Sequence, residues 1–171
     1  MGVEAPRPGI VSGADRRVGI VASRFNEEIT RELVEGARAA LLEAGVREAD
    51  IYLYHVAGAF ELAPACRQLV SVGPEVDAVV ALGAVIRGET PHFDFVAGAA
   101  ARALQELAME VNVALSFGVL TTDTLEQASE RARRGRGDKG GEAARAALEQ
   151  AELYDRLREG RKPTVRGFHL S

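Results

Sequence analysis

The chain has 171 residues, 47% of them hydrophobic and 27% charged, and a formal net charge of −4 at pH 7, which is typical of one globular domain. Because acidic and basic residues are interspersed, we expect neither a nucleic-acid-binding protein nor one that binds an anionic membrane surface. One cysteine, Cys66, excludes an internal disulfide and a thiolate metal cluster, and the longest apolar run, residues 78–86, is too short for a membrane helix, so we expect a cytoplasmic protein.

The predicted elements alternate between strands and helices. Residues 1–16 contain Pro6 and Pro8, show no sustained periodicity and predict an N-terminal arm. Residues 17–158 predict a single domain in which each apolar run is followed by a segment of helical spacing. Residues 159–171 predict a polar tail. The predicted strands cover residues 17–22, 50–56, 77–83 and 113–119, and the predicted helices cover residues 29–44, 60–72, 91–111, 124–134 and 139–157.

The third predicted strand contains the apolar run AVVAL at residues 78–82. Such a run indicates a strand that is buried on both faces, as in a parallel sheet with helices on either side. We therefore predict an α/β fold, a three-layer α/β/α sandwich around a four-stranded parallel sheet. Ligands of such folds bind where the carboxyl ends of the strands meet. The segments expected there are residues 23–26, 58–61, 84–92 and 117–121.

The stretch GAVIRGETPHFDFV, residues 83–96, places a histidine where a strand passes into a helix. Thr90 followed by Pro91 predicts a helix start with Thr90 as the cap, so His92 is expected in the first turn. The helix dipole there disfavours an imidazolium, and a neutral imidazole accepts a proton near pH 7. His92 is therefore a candidate catalytic base. The alternative is a surface histidine on a well-capped helix.

The same turn is a candidate phosphate site. Gly88 allows the backbone to approach a ligand closely, and amides at a helix start attract anions. Either Arg87 or the amides of Glu89 and Thr90 are candidates to hold the phosphate. A metal site is not expected, because residues two apart on a helix, such as 92 and 94, do not share a face.

Three more segments have both a functional and a structural interpretation. Phe25 is expected to stack on a ligand or to pack as a hydrophobic staple, next to Asn26 as a helix cap. Glu61 is expected to bind a ligand or to stabilise a helix start. Asp123 and Glu126 resemble a capping box.

A basic run, RARRGRGDK, occupies residues 131–139. Basic residues at the carboxyl end of a helix complement its dipole, so the run predicts a solvated helix terminus. The alternative is that Arg131 or Lys139 forms an anion clamp. Arg134 and Arg136 make the loop before Lys139 unusually basic, and the sequence offers no explanation for them.

Five motifs occur in order between residues 18 and 157: SRFN, GAFEL, GAVIRGETPHFDFV, FGVLTTDTLEQA and GDKG. Together they resemble the 6,7-dimethyl-8-ribityllumazine synthases, the penultimate enzymes of riboflavin biosynthesis. The resemblance implies a flavodoxin-like fold, with the option of an added N-terminal strand, and a transferase without metal or organic cofactor. The implied reaction condenses 5-amino-6-(D-ribitylamino)pyrimidine-2,4-dione with 3,4-dihydroxy-2-butanone 4-phosphate and releases phosphate and water.

The resemblance also implies an assembly. Members of this family form homopentamers, or icosahedral capsids of twelve pentamers, with active sites between adjacent subunits. The implied partners are the two small-molecule substrates, further copies of the chain and riboflavin synthase.

By resemblance, each motif residue has a role in this reaction. His92 is implied as the catalytic proton shuttle, and residues 88–90 as the phosphate-binding turn. Phe117 is implied to come from the neighbouring subunit, together with Arg131 at the phosphate and Lys139 at the polar substrate. The full set of implied substrate-binding residues is Phe25, Asn26, Gly58, Ala59, Glu61, Ala84, Val85, Ile86, Gly88, Glu89, Thr90, Phe117, Arg131 and Lys139.

Two other classes of protein stay open at this point. One is a flavin- or lumazine-binding carrier that retains the pocket without catalysis, and the other is a shell or scaffold whose assembly is its main function. The presence of His92, Arg131 and Lys139 argues against the carrier, since a carrier needs no phosphate clamp.

Overall fold

Four parallel strands form one sheet in the computed structural model, which describes residues 11–160. The spatial order is β2-β1-β3-β4, and every pair of neighbours is parallel. The predicted four-stranded parallel sheet is therefore confirmed. The strands are β1 (Val18–Ser23), β2 (Ile51–Val56), β3 (Ala78–Ile86) and β4 (Ala114–Thr122).

Five α-helices cover the two faces of this sheet, so the predicted three-layer α/β/α sandwich is also confirmed. One face packs against α1, α4 and α5, and the other packs against α2 and α3. Two short 3-10 turns, Glu48–Asp50 and Ala59–Glu61, lie on either side of β2. The helices are α1 (Glu27–Glu43), α2 (Leu62–Val72), α3 (His92–Glu110), α4 (Leu125–Ala132) and α5 (Lys139–Arg158).

Alternate residues of the central strands supply the two halves of the core. Side chains of a strand point to opposite faces in turn. Ile20 and Val80 accordingly pack with α1 and α5, whereas Val21 and Val79 pack with α2 and α3. All four are at most 1% exposed, which explains why these strands are apolar without alternation.

β3 and β4 each run three residues further than predicted. Their ladder continues from Ala84↔Leu120 to Ile86↔Thr122, so these residues lie in the strands and not after them. Gly83 misled the prediction because it resembles a turn residue. It is required for close packing instead, since a Cβ there would lie 3.0 Å from the Ser23 hydroxyl oxygen.

The ends of the chain are described only in part. Residues 11–17 contain no strand, so the optional added N-terminal strand is not present in that part of the arm. The remainder of the predicted arm, residues 1–10, and most of the predicted tail, residues 161–171, lie outside the described residues.

Candidate active site

A cavity of about 650 Å³ opens at the carboxyl ends of β1, β2 and β3, and we call it the strand-end cavity. It brings together most of the residues that the sequence singled out, including the candidate base His92. Phe60, which lies in the expected segment 58–61, also lines it, whereas sequence reasoning missed Phe93, Phe95 and Val96. The FDF triplet around residue 94 was an available signal for two of them. The predicted site residues that line this cavity are Phe25, Gly58, Ala59, Glu61, Ala84, Val85, Ile86, Gly88, Thr90 and His92.

The loop after β1 is fastened to its neighbours by hydrogen bonds. The amide of Phe25 donates to the carbonyl of Ala57 at 3.0 Å, which holds the Phe25 ring at the cavity with 71% of the residue exposed. Asn26 occupies the left-handed region (φ 58°), which asparagine tolerates better than most residues. It is the N-cap residue of α1, as predicted, but its side chain makes no capping hydrogen bond. The Asn26 Nδ2 donates to the Ala84 carbonyl at 2.9 Å instead, linking the loop to β3.

Glu61 shapes the turn that follows β2. Its Oε2 accepts a hydrogen bond of 2.9 Å from the amide of Gly58, three residues earlier. The carboxylate therefore stabilises the 3-10 turn at the start of α2, as its structural interpretation predicted, and the residue lines the cavity as well.

His92 is the first residue of α3, and its side chain is exposed. The prediction that Thr90 caps this helix was wrong: Pro91 occupies the N-cap position, and no side chain caps it. Within residues 11–160, the backbone amides of Gly88, Glu89, Thr90 and His92 donate no hydrogen bond. Free amides at the positive end of a helix dipole can hold an anion, and Gly88 and Thr90 open into the same cavity as His92.

Arg87 does not line the strand-end cavity. Its Nε donates to Asp123 Oδ1 at 2.8 Å, and its Nη1 lies 3.6 Å from Asp94 Oδ1. The guanidinium also lies 4.3 Å from the centroid of the Phe93 ring. The hydrogen bond to Asp123 and the charge of Asp94 raise the pKa of Arg87 above its usual value, so it stays cationic. Of the two candidates for holding a phosphate, the free amides are therefore better placed than Arg87.

A second cavity of about 580 Å³ lies along the outer edge of β4, between α3 and α5, and we call it the edge cavity. It contains Phe117, Arg131 and Lys139. The Lys139 Nζ lies 2.6 Å from Glu142 Oε2, whereas Arg131 forms no ion pair with any other residue in the range 11–160. Phe117 is 46% exposed on the open edge strand. An aromatic ring and two cationic side chains thus line one cavity.

The two cavities share no lining residue, although Val85 of one and Thr121 of the other pair across β3 and β4. Gln105 of α3 lines the edge cavity, thirteen residues after His92 on the same helix, which corresponds to about 20 Å along its axis. The expectation that residues 117–121 follow the fourth strand was wrong, because β4 continues to Thr122. Phe117 lies within the strand, opposite Ala81 in the register.

The basic loop before α5 is tied to acidic residues of the same chain. Arg134 pairs with Glu43 at 3.1 Å, and Arg136 donates to both carboxylate oxygens of Glu130 at 2.8 Å. These two arginines therefore have a structural role that the sequence did not suggest.

The capping box of α4 differs from the predicted pair of Asp123 and Glu126. Thr124 and Gln127 form it, with the Gln127 amide donating to the Thr124 hydroxyl oxygen at 3.2 Å. The prediction was displaced by one residue, and the displacement leaves Asp123 available to Arg87.

Two classes of feature are not found in the described part of the chain. No group of three or more His, Cys, Asp or Glu side chains within residues 11–160 is placed to hold a metal ion. No helix in the same range has the length and apolar character required to cross a membrane.

Similarity to known proteins extends over most of the chain. Residues 15–155 match the sequence pattern of the 6,7-dimethyl-8-ribityllumazine synthase family. A protein of that name from Gemmatimonas aurantiaca is 52% identical over 144 residues, which cover 84% of this chain and 87% of that protein. Another from Anaeromyxobacter is 51% identical over 146 residues, with coverage of 85% and 87%. A third from Aquifex aeolicus is 45% identical over 150 residues, with coverage of 88% and 97%.

These matches agree with the fold and with the motif residues that gather at the strand-end cavity. The sheet order and the motifs agree with the identity to three curated relatives. The chain therefore belongs to the 6,7-dimethyl-8-ribityllumazine synthase family, transferases of riboflavin biosynthesis.

Proposed function

We propose that this chain carries out the reaction of its family at a site that two subunits share. The reaction condenses 5-amino-6-(D-ribitylamino)pyrimidine-2,4-dione with 3,4-dihydroxy-2-butanone 4-phosphate, and it yields 6,7-dimethyl-8-ribityllumazine, phosphate and water. The observation that carries the proposal is the division of the motif residues between two open cavities. The strand-end cavity of one subunit supplies one half of the site, and the edge cavity of its neighbour supplies the other.

The strand-end cavity provides the surfaces that a flat heterocycle needs. The exposed ring of Phe25 is available to stack on the pyrimidine. Backbone groups of Ala59, Val85 and Ile86 line the same cavity and are suited to the edge of the ring. Asn26 and Glu61 are assigned to the ribityl hydroxyls or the ring edge. Gly58 and Ala84 complete this wall.

The turn before α3 provides the anion site. The free amides of residues 88–90 bind the phosphate of the butanone, which is both the group held and the leaving group. The neighbour's copy of Arg131, unpaired within residues 11–160, completes this pocket. The neighbour's copies of Lys139 and Phe117 close the site over the polar substrate.

His92 transfers protons between the two substrates. Imine formation moves a proton from the attacking amine to the departing water, and later steps again move protons between nitrogen, carbon and oxygen. An exposed imidazole at a helix start can accept a proton in one step and donate it in another. Holding the two substrates together contributes further to the rate, because it replaces an encounter of two molecules by a reaction within one complex.

A site of this kind requires oligomerisation, and a closed ring in which each contact joins two different surfaces forms one such site at every contact. We propose a homopentamer, alone or as the unit of an icosahedral capsid, and sedimentation velocity distinguishes the two. Large apolar side chains support an assembly of either kind: Val72, Phe95 and Met109 are 79%, 74% and 71% exposed in the isolated chain.

The remaining parts of the proposal concern the chain as a whole. We assign residues 17–158 to the catalytic domain, residues 1–16 to an arm and residues 159–171 to a tail. A single cysteine suits a cytoplasmic location. Riboflavin synthase is the proposed macromolecular partner, since it uses the product.

The test mixes the purified protein with both substrates and follows the absorbance of the lumazine together with the release of inorganic phosphate. Equal molar amounts of both products are expected. Omission of either substrate is the control. A protein that binds the pyrimidine or lumazine but forms no product is a carrier, and that outcome rejects the proposal.

A further inference from the structure

Arg87 joins three elements around the turn that leads to His92. Its backbone amide donates to the Thr122 carbonyl at 2.9 Å, which closes the ladder between β3 and β4. Its side chain then reaches Asp123, after β4, at 2.8 Å and comes within 3.6 Å of Asp94, in the first turn of α3. The end of β3, the start of α3 and the start of the α4 connection therefore meet at one guanidinium.

The turn itself has few other attachments. Gly88, Glu89 and Thr90 make no hydrogen bond to any residue between 11 and 160, and all three are exposed. The direction of their free amides is thus determined by the two ends of the turn, and Arg87 contacts both ends. The same guanidinium lies against the Phe93 ring, which forms part of the wall of the strand-end cavity.

The charges around the turn give Arg87 a second effect. Asp94 and Asp123 would place two unpaired carboxylates close to a phosphate site, where like charges repel. Arg87 contacts both of them, so it reduces that repulsion while orienting the turn. Because these ion pairs are about half exposed, they add little to the stability of the fold. Their main consequence is expected in substrate binding.

We propose that Arg87 is a positioning residue for the phosphate-bearing substrate, acting through the amides of residues 88–90 and through His92 without touching the substrate. This inference rests on the proposed function. Arg87 is thus distinct from the residues that contact substrate. Its bridge to Asp94 and Asp123 is expected to affect the phosphate-bearing substrate more than the pyrimidine.

The test compares Arg87→Met with wild type in steady-state kinetics for each substrate. We expect kcat/KM for the butanone phosphate to fall about tenfold and KM for the pyrimidine to change by less than about twofold. Arg67→Met is the matched control, because Arg67 forms an ion pair of similar exposure with Glu110 between α2 and α3, away from both cavities. That variant is expected to keep wild-type kinetics.

Two more variants separate geometry from charge. Arg87→Lys restores the positive charge but not the planar group that spans two carboxylates, so it should recover only part of the loss. Asp123→Asn removes one partner, and the additional effect of Arg87→Met should be smaller in that background, as expected for contacting residues.

The outcomes distinguish this inference from the proposed function. Equal kinetics for Arg87→Met and Arg67→Met would overturn it. A rise of both KM values together with a fall of kcat and of the melting temperature would also overturn it, because that pattern indicates a structural role. If wild type forms no lumazine, the proposed function fails. Calorimetric titration with inorganic phosphate still tests Arg87 in that case, because weaker phosphate binding by Arg87→Met than by Arg67→Met is then expected, and equal binding rejects the inference.

Discussion

Two inactive variants should restore activity when they assemble together, and this is the most direct test of a site shared between subunits. One variant carries His92→Ala in the strand-end cavity. The other carries Arg131→Ala with Lys139→Ala in the edge cavity. Since the two cavities share no lining residue, each substitution damages a different half of the site.

The size of the recovery follows from the geometry of a closed ring. In a random mixture at equal amounts, a site is intact when its strand-end half comes from the second variant and its edge half comes from the first. The chance is one half for each, so about one quarter of the wild-type activity should return whatever the number of subunits. A site contained within one chain would give no recovery, because every chain carries a defect.

The assay uses co-expression of the two variants with different affinity tags and two successive purification steps, so that only mixed assemblies are measured. Lumazine formation is then compared with that of each variant alone. A control co-assembles wild type with a chain that carries all three substitutions. That mixture should retain about one quarter of the activity if sites are shared and about one half if they are not. Absence of recovery in the first mixture together with one half in the second would refute the shared site.

Three further predictions concern single positions. His92→Ala should lower kcat by about 100-fold or more with pyrimidine binding largely retained, whereas Arg131→Ala should mainly raise KM for the butanone phosphate. Equal effects of both variants on both substrates would contradict this division of roles between His92 and Arg131. Gly140→Ala should lower the free energy of unfolding by at least about 1–3 kcal/mol in thermal unfolding, since the added Cβ would overlap a backbone carbonyl of α1. Gly98→Ala is the contrast, because open space surrounds Gly98, and it should raise the free energy of unfolding by about 0.5–1 kcal/mol. Burial raises the pKa of Cys66 to about 12, so its thiol should resist Ellman's reagent at pH 8 until the protein unfolds, and rapid labelling of the native protein would contradict this prediction. The contribution of the neutral thiol to stability is complete below the unfolded pKa of about 8.5 and is lost as pH rises towards 12.

The fold could be predicted because its main signal is local in the sequence. Apolar runs for strands and three-and-four spacing for helices depend on which side chains are buried, and burial of β1 and β3 on both faces is nearly complete. Strand ends were less predictable. Gly83 resembles a stop in the sequence, yet the strand continues because its hydrogen bonds to β4 continue, and only the three-dimensional packing against Ser23 explains the glycine.

The site could be predicted where one residue type has one favourable position, and not where two positions compete. Pro91 took the N-cap position that Thr90 was expected to occupy. Asn26 lies at a cap position as predicted, but its amide binds the Ala84 carbonyl, a partner 58 residues away that no local pattern indicates. The local propensities of these alternative positions differ by a few tenths of a kcal/mol to about 1 kcal/mol. A single tertiary hydrogen bond can therefore reverse their order.

The division of the motif residues also explains why the two cavities are open in the isolated chain. Phe25 and Phe117 each expose an aromatic ring, and Arg131 lacks an ion-pair partner within residues 11–160, although most arginines of the surface have one. A ring that stacks on substrate must stay uncovered until substrate arrives, and a cation that clamps a phosphate gains most if no carboxylate neutralises it first. Arg87 shows the opposite arrangement, with two carboxylates and an aromatic ring around its guanidinium. We therefore propose a ligand contact for the arginine at position 131 and a supporting role for the arginine at position 87, and the difference lies in which partners the chain provides for each side chain.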